Sequence, residues 1–144
     1  MSIWFQPVEV AVLNDKGRTC ANGNLGIEIL EATEEGLSGR MPVDGRTRQP
    51  AGVLHGGASV LFAETLASWA GAMAVDPAKF HCVGIEINAN HVRAAASGFV
   101  YGQARPAHLG RSLHVWEVSI RDESERLVCT SRVTLAVLDK PNAY

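Results

Sequence analysis

Clustered cations are missing from this 144-residue chain. Thirteen Lys and Arg stand against 15 Asp and Glu, a formal net charge of −2, with no basic run and no interleaved aromatic ladder. Neutralising nucleic-acid phosphates needs cations gathered in a patch, so nucleic acid is excluded as the expected partner. Cysteine is scarce as well: Cys20, Cys82 and Cys129 are an odd number, far apart and without a CxxC spacing. That argues against a disulfide frame or a zinc site and for reduced, mostly buried thiols in a cytoplasmic protein. Residues 1–7 carry no basic cluster followed by an apolar core, so no secretory signal is expected. The longest apolar stretch, 58–74, is interrupted by a carboxylate, is rich in Ala and Ser, and falls short of the ~20 residues of a membrane span. No membrane is expected as a partner. There is no G-x-S-x-G elbow, no Ser-His-Asp order, no HExxH and no other ligand spacing, which disfavours an ester-type hydrolase and a metal site. No repeat, low-complexity tract or linker appears either. At this length, with 47% hydrophobic residues, the expectation is one domain, 1–144, with a core of its own.

What is present is a change of period along the chain. Residues 8–16 have mixed helical character, and 17–24, with Gly17, Asn22, Gly23 and Asn24, read as a loop. Short strands are expected over 25–30 and 36–41, meeting at the polar turn Thr33-Glu34-Glu35. An irregular loop over 42–53 precedes an Ala-rich helix from about Gly56, which should stop at Asp76-Pro77, where proline removes a backbone donor. The pattern then alternates. Val83, Ile85, Ile87, Ala89 and His91 are expected on one face, Glu86, Asn88, Asn90 and Val92 on the other. Strands over 99–104, 113–121 and 127–138 follow, separated by a loop at 106–111 and the turn 122–125. Strands joined this tightly pair antiparallel, so the fold class is α+β. A helix apolar on nearly every side must be wrapped by that sheet, with a second subunit as a further cover.

Glu64 is the one charged residue of the 58–74 stretch. Burying an unpaired carboxylate costs several kcal/mol (roughly 2–7 for even a neutral polar group without a partner), so either a wet helix face or chemistry must account for it. Gly56 and Gly57 stand where the helix begins, among amides that lack an intrahelical acceptor. Such an entrance can hold a phosphate or the oxyanion of an attacked carbonyl, or be a glycine turn with no ligand. Ser68 follows Glu64 at i+4 on the same face. Gln49, held extended by Pro50, offers an amide. A carboxylate, a hydroxyl, an amide and free N–H groups suit hydrolysis of an activated acyl group. A thioester fits best, because a thiol with a pKa near ~8.5 leaves as thiolate without a strong general acid.

The strings Met41-Pro42-Val43-Asp44, Arg46-Thr47-Arg48-Gln49-Pro50, Leu54-His55-Gly56-Gly57-Ala58-Ser59 and Glu64 resemble the hotdog-fold acyl-CoA thioesterases of the phenylacetate-degradation type. Within that family they are most similar to the branch of enterobactin proofreading thioesterases and 1,4-dihydroxy-2-naphthoyl-CoA hydrolases. Val83 to Arg93 and His108-Leu109-Gly110-Arg111 match the same branch, and the likeness runs over about residues 24–138. It implies a hotdog fold, an antiparallel sheet wrapped around one long central helix, and hydrolysis of acyl-CoA or carrier-protein thioesters with aromatic acyl groups. By the resemblance, Glu64 is the nucleophile or the base on water and the Gly56 N–H the oxyanion donor. Gln49 orients the thioester or the water, His55 lines the site, and Ser68 supports the carboxylate. It further implies that Glu64 faces Gln49, His55 and Gly56 of a second subunit, which makes a homodimer obligatory and a homotetramer usual.

Coenzyme A, part of the substrate and not a cofactor, is implied along Gly84, His91, Val92, Arg93 and Ala94. It is implied also along His108, Leu109, Gly110, Arg111, Ser112 and Leu113, with Arg93 and Arg111 as phosphate partners. The chain departs from the pattern in the uncharged Ala94-Ala95-Ala96 and in residues 75–80. Phe62, Leu66, Trp69 and Met73 suit an acyl pocket or a core equally, Trp116 suits a core, and His81 and His114 receive no role. The competing readings are a non-catalytic acyl-CoA binder or regulator on the same fold, and a dehydratase acting on acyl-carrier protein. The dehydratase would need a histidine base facing the acyl β-carbon, whereas His55 stands at the oxyanion end.

Overall fold

A computed structural model describes residues 1–141. Two short helices, α1 (Val10–Gly17) and α2 (Ala21–Asn24), lead into the hairpin β1 (Glu28–Thr33) and β2 (Gly36–Pro42). The long helix α3 (Gly56–Met73) follows, then β3 (Phe80–His91), β4 (Phe99–Leu109), β5 (Leu113–Arg121) and β6 (Leu127–Asp139). The six strands form one antiparallel sheet in the order β1-β2-β4-β5-β6-β3. This is the α+β arrangement the periodicity called for, with the sheet curved around one long helix.

The helix sits on the sheet through Phe62, Ala63, Leu66, Ala67 and Ala70, all fully buried against Met41, Val100, Trp116, Ile120, Val133 and Leu135. Each large apolar side chain enclosed in this way contributes about 1.5–3 kcal/mol. Close approach needs a gap in the sheet. A Cβ on Gly102 would meet Leu66 at 2.6 Å and the Phe62 ring at 2.9 Å, so the missing side chain is the seat of the helix. Phe62 and Leu66 therefore belong to the core and not to an acyl pocket. The N-terminal segment straps the far end of α3: the Phe5 N–H donates to the Met73 carbonyl at 3.0 Å, and Trp4 stacks on buried Trp116 with ring centroids 6.5 Å apart.

Several expectations are corrected. Residues 17–24 are not all loop, since Ala21–Asn24 make a helical turn. Of residues 106–111 only Gly110 and Arg111 are loop. β4 runs through Pro106 to Leu109, with a bulge between Pro106 and His108. β2 stops pairing with β4 at Ala104, so proline gives up no ladder bond on that side. β3 does not pair with the strand that follows it but with β6, at the edge of the sheet. A second bulge, between Gly84 and Glu86, inverts the alternation of β3. Cys82 packs on the core from one side of it, Ile87 and Ala89 from the other, and Val83 and Ile85 are left 38% and 58% exposed. The thiols are mixed: Cys129 is buried, Cys82 half-buried and Cys20 exposed. Among the described residues no helix is long and apolar enough to cross a membrane.

Candidate active site

The loop before α3 is tied down by backbone and hydroxyl contacts. Thr47, 2% exposed, donates its Oγ1–H to the Pro42 carbonyl at 2.6 Å, and the His55 N–H donates to the Thr47 carbonyl at 2.8 Å. The Arg46 guanidinium, hydrogen-bonded to Asp44 at 2.7 Å, holds that carboxyl down at about 2. Gln49 turns back on itself: its Oε1 accepts from the Ala51 N–H at 2.6 Å. With the carbonyl end occupied, the amide offers its NH2 as a donor to a ligand.

His55 caps α3. Its Nδ1 accepts from the Gly57 N–H at 2.8 Å, which fixes the neutral tautomer with the proton on Nε2. The Ala58 and Ser59 amides donate to the His55 carbonyl at 3.0 and 3.2 Å. Of the first amides of the helix, that of Gly56 alone has no acceptor among the described residues. Gly56 and Gln49 open onto one cleft of about 390 Å3, shared with His91, Val92, Arg93 and Ala94. A Cβ on Gly56 would stand 2.9 Å from the His91 ring nitrogen Nε2, so that approach requires glycine.

Glu64 lies two turns further on, roughly 12 Å along the axis. It shares with Ser68, as the i+4 spacing predicts, a second cleft of about 440 Å3, walled also by Asn22, Leu61, Trp69 and Ala72. Trp69 thus borders the cleft as well as the core. Among the described residues no cation pairs with the Glu64 carboxylate. It occupies the notch that Gly84 leaves at the β3 bulge, where a Cβ would come 2.7 Å from Oε1. Nothing local in the sequence marks Asn22, which reaches the cleft from α2.

Within one chain the candidate residues therefore fall into two separate groups. Gln49, His55, Gly56 and His91 to Ala94 gather at one end of the sheet, and Glu64, Ser68 and Gly84 lie elsewhere. The remaining coenzyme A candidates, His108 to Leu113, all lie at the Gly84 end. His108 and Leu109 are on β4, Gly110 to Ser112 form the turn, and Leu113 opens β5. On the shared strand β6, His91 pairs with Cys129 and Leu113 with Ala136, seven residues apart and so roughly 23 Å. Gly84, paired with Leu135, belongs to the Leu113 end. Arg93 and Arg111 are exposed and, among the described residues, form no ion pair. Among the described residues no three His, Cys, Asp or Glu side chains are grouped to hold a metal.

The chain and its fold have close counterparts among known proteins. The sequence profile described as thioesterase superfamily matches residues 51–129. The chain is 45% identical to the 1,4-dihydroxy-2-naphthoyl-CoA hydrolase of Escherichia coli, over 94% of this chain and 99% of that one. It is also 45% identical to a proofreading thioesterase of Klebsiella pneumoniae, over 94% and 98%. The crystal structure of a Pseudomonas aeruginosa thioesterase carrying a glutamine-to-alanine mutation is similar with a TM-score of 0.95 at 42% identity, covering 96% of this chain and 100% of that one.

Proposed function

The chain belongs to the thioesterase superfamily, a family of hotdog-fold hydrolases, and on that premise we propose that it cleaves acyl-CoA or carrier-protein-bound acyl thioesters with aromatic acyl groups. The observation that carries this reading is Glu64, a carboxylate lodged in an apolar cleft with no cation beside it among the described residues. A half-buried carboxylate that faces a cleft and has no charge partner among the described residues of its own chain is placed to act on a molecule bound there.

In the proposed reaction the thioester carbonyl accepts hydrogen bonds from the Gly56 N–H and the Gln49 NH2, which stabilise the oxyanion as it forms. Glu64 either attacks the carbonyl carbon or takes a proton from the attacking water, with Ser68 hydrogen-bonded to the carboxylate or that water. The carbon–sulfur bond then breaks and the thiolate departs. On the first route water hydrolyses the acyl–Glu64 anhydride to give the carboxylic acid and restore the carboxylate. On the second the proton that Glu64 took from water passes to the thiolate, and the acid is released directly. By capping α3, His55 keeps the Gly56 amide aimed at the oxyanion. Coenzyme A lies along Gly84, His91 to Ala94 and His108 to Leu113, with Arg93 and Arg111 toward its phosphates. No cofactor is needed.

These roles need two protomers. β3 is a 12-residue edge strand with exposed Val83 and Ile85, the kind of edge that another chain covers. Antiparallel pairing of two such edges, centred between Ile87 and Asn88, would set Gly84 of one copy across from His91 of the other. Glu64 beside the first and Gly56 beside the second would then meet. We propose a homodimer with shared active sites, paired into a homotetramer, in the cytoplasm.

The test is thiol release from benzoyl-, hydroxybenzoyl-, naphthoyl- and fatty acyl-CoAs by wild type and by Glu64→Gln. Turnover should fall by at least ~10²-fold in the variant, the scale of a lost acid–base group. Equal rates, or no hydrolysis of any thioester by wild type, would favour the acyl-CoA binder instead.

A further inference from the structure

The cleft beside Glu64 contains a polar side chain that the reaction does not use. Asn22 comes from α2 and faces the same space as Glu64, Thr65 and Ser68, whose apolar wall is made by Leu61, Trp69 and Ala72. Its Oδ1 stands 3.2 Å from the hydroxyl of Thr65, the residue after Glu64. That hydroxyl also donates to the Leu61 carbonyl, at the shorter distance of 2.8 Å. A single proton serves one acceptor at a time, so the Asn22 amide retains hydrogen-bonding capacity of its own. Among the described residues its side chain makes no other hydrogen bond. The amide is also seated: a Cβ on Gly17 would lie 3.3 Å from its Nδ2, so the glycine leaves just the room it fills.

An apolar wall with one fixed amide orients an apolar group that carries one polar substituent. Resting on the thioesterase reading above, we propose that Asn22 is a specificity-determining residue that hydrogen-bonds a ring hydroxyl on an aromatic acyl group. A hydroxyl-bearing ring satisfies the amide, whereas an unsubstituted ring or an alkyl chain buries it without a partner. Discrimination arises from that difference.

The experiment measures kcat/KM on benzoyl-CoA, the three hydroxybenzoyl-CoA isomers and hexanoyl-CoA, for wild type, Asn22→Leu, Asn22→Ala and Asn22→Ser. Wild type should prefer at least one hydroxybenzoyl isomer over benzoyl-CoA. Asn22→Leu and Asn22→Ala should lower the ratio of kcat/KM on that isomer to kcat/KM on benzoyl-CoA by about tenfold, the scale of one hydrogen bond left unmade. Benzoyl-CoA should be hydrolysed no more slowly than by wild type, because the unpaired amide is gone. Asn22→Ser, which keeps a polar group, should recover part of the preference, and it also serves if the apolar variants fail to fold. A ratio between the two substrates that no variant alters, or an equal fall on every substrate, would overturn the assignment while leaving the thioesterase standing. Failure of wild type to hydrolyse any of these thioesters would overturn both.

Discussion

Glu64 stays without a charge partner among the described residues because neither Gly84, which its carboxylate abuts, nor Ser68, which shares its cleft, brings a charge to it. Its isolation, the i+4 hydroxyl and the helix-entrance glycines were legible in the sequence, since all lie on one helix whose spacing fixes their relations. Asn22 was not, because its role depends on a contact between α2 and α3 that spans 43 residues. His55 was legible as a candidate residue, whereas its capping of α3 was not. His114 was given no role, and the structure shows a ring 4% exposed, its Nδ1 buried without a hydrogen-bond partner. Burial, and then the nearby His108, push its pKa below the usual histidine value. Above a pH of roughly 6.5 both folded and unfolded rings are neutral and the shift has no effect on stability. As the pH falls below that value, the unfolded chain takes up a proton that the folded ring resists, so stability declines. Melting temperatures measured from pH 8 to pH 5 should therefore drop more steeply for wild type than for His114→Phe. Parallel curves would remove His114 from the acid response.

At the scale of elements, the helix and the strands of the meander β4-β5-β6 were readable because periods of 3.6 and 2 announce them. The parts that were misread are those where a period breaks. The bulge at Gly84–Glu86 inserts a residue and turns Val83 and Ile85 outward, and the bulge at Pro106–His108 carries a strand through a proline. Pairing of β3 with β6 in place of β4 is a matter of topology that local sequence does not encode. The docking of α3 rests on small residues beneath it. Gly102→Ala would force a methyl against Leu66 and Phe62, and should cost about 1–3 kcal/mol in denaturant unfolding, the usual penalty of overpacking. A change well below that would mean the helix shifts freely on the sheet.

For the whole molecule, the proposed shared site depends on two groups of residues that one chain keeps apart, Gly56 and Glu64 standing roughly 12 Å from each other along α3. The edge strand β3 lies between them, and its exposed Val83 and Ile85 point to a second copy as its cover. The most direct test is complementation between two inactive variants. Glu64→Gln and Gln49→Ala, each nearly inactive alone, are mixed under conditions that exchange subunits, and thioester hydrolysis is measured. If each site takes Glu64 from one protomer and Gln49 from the other, half the dimers are mixed and each of these has one intact site. Activity should then rise to about one quarter of wild type. Activity that stays at the level of the separate variants, in samples shown to have exchanged subunits, would contradict the shared site.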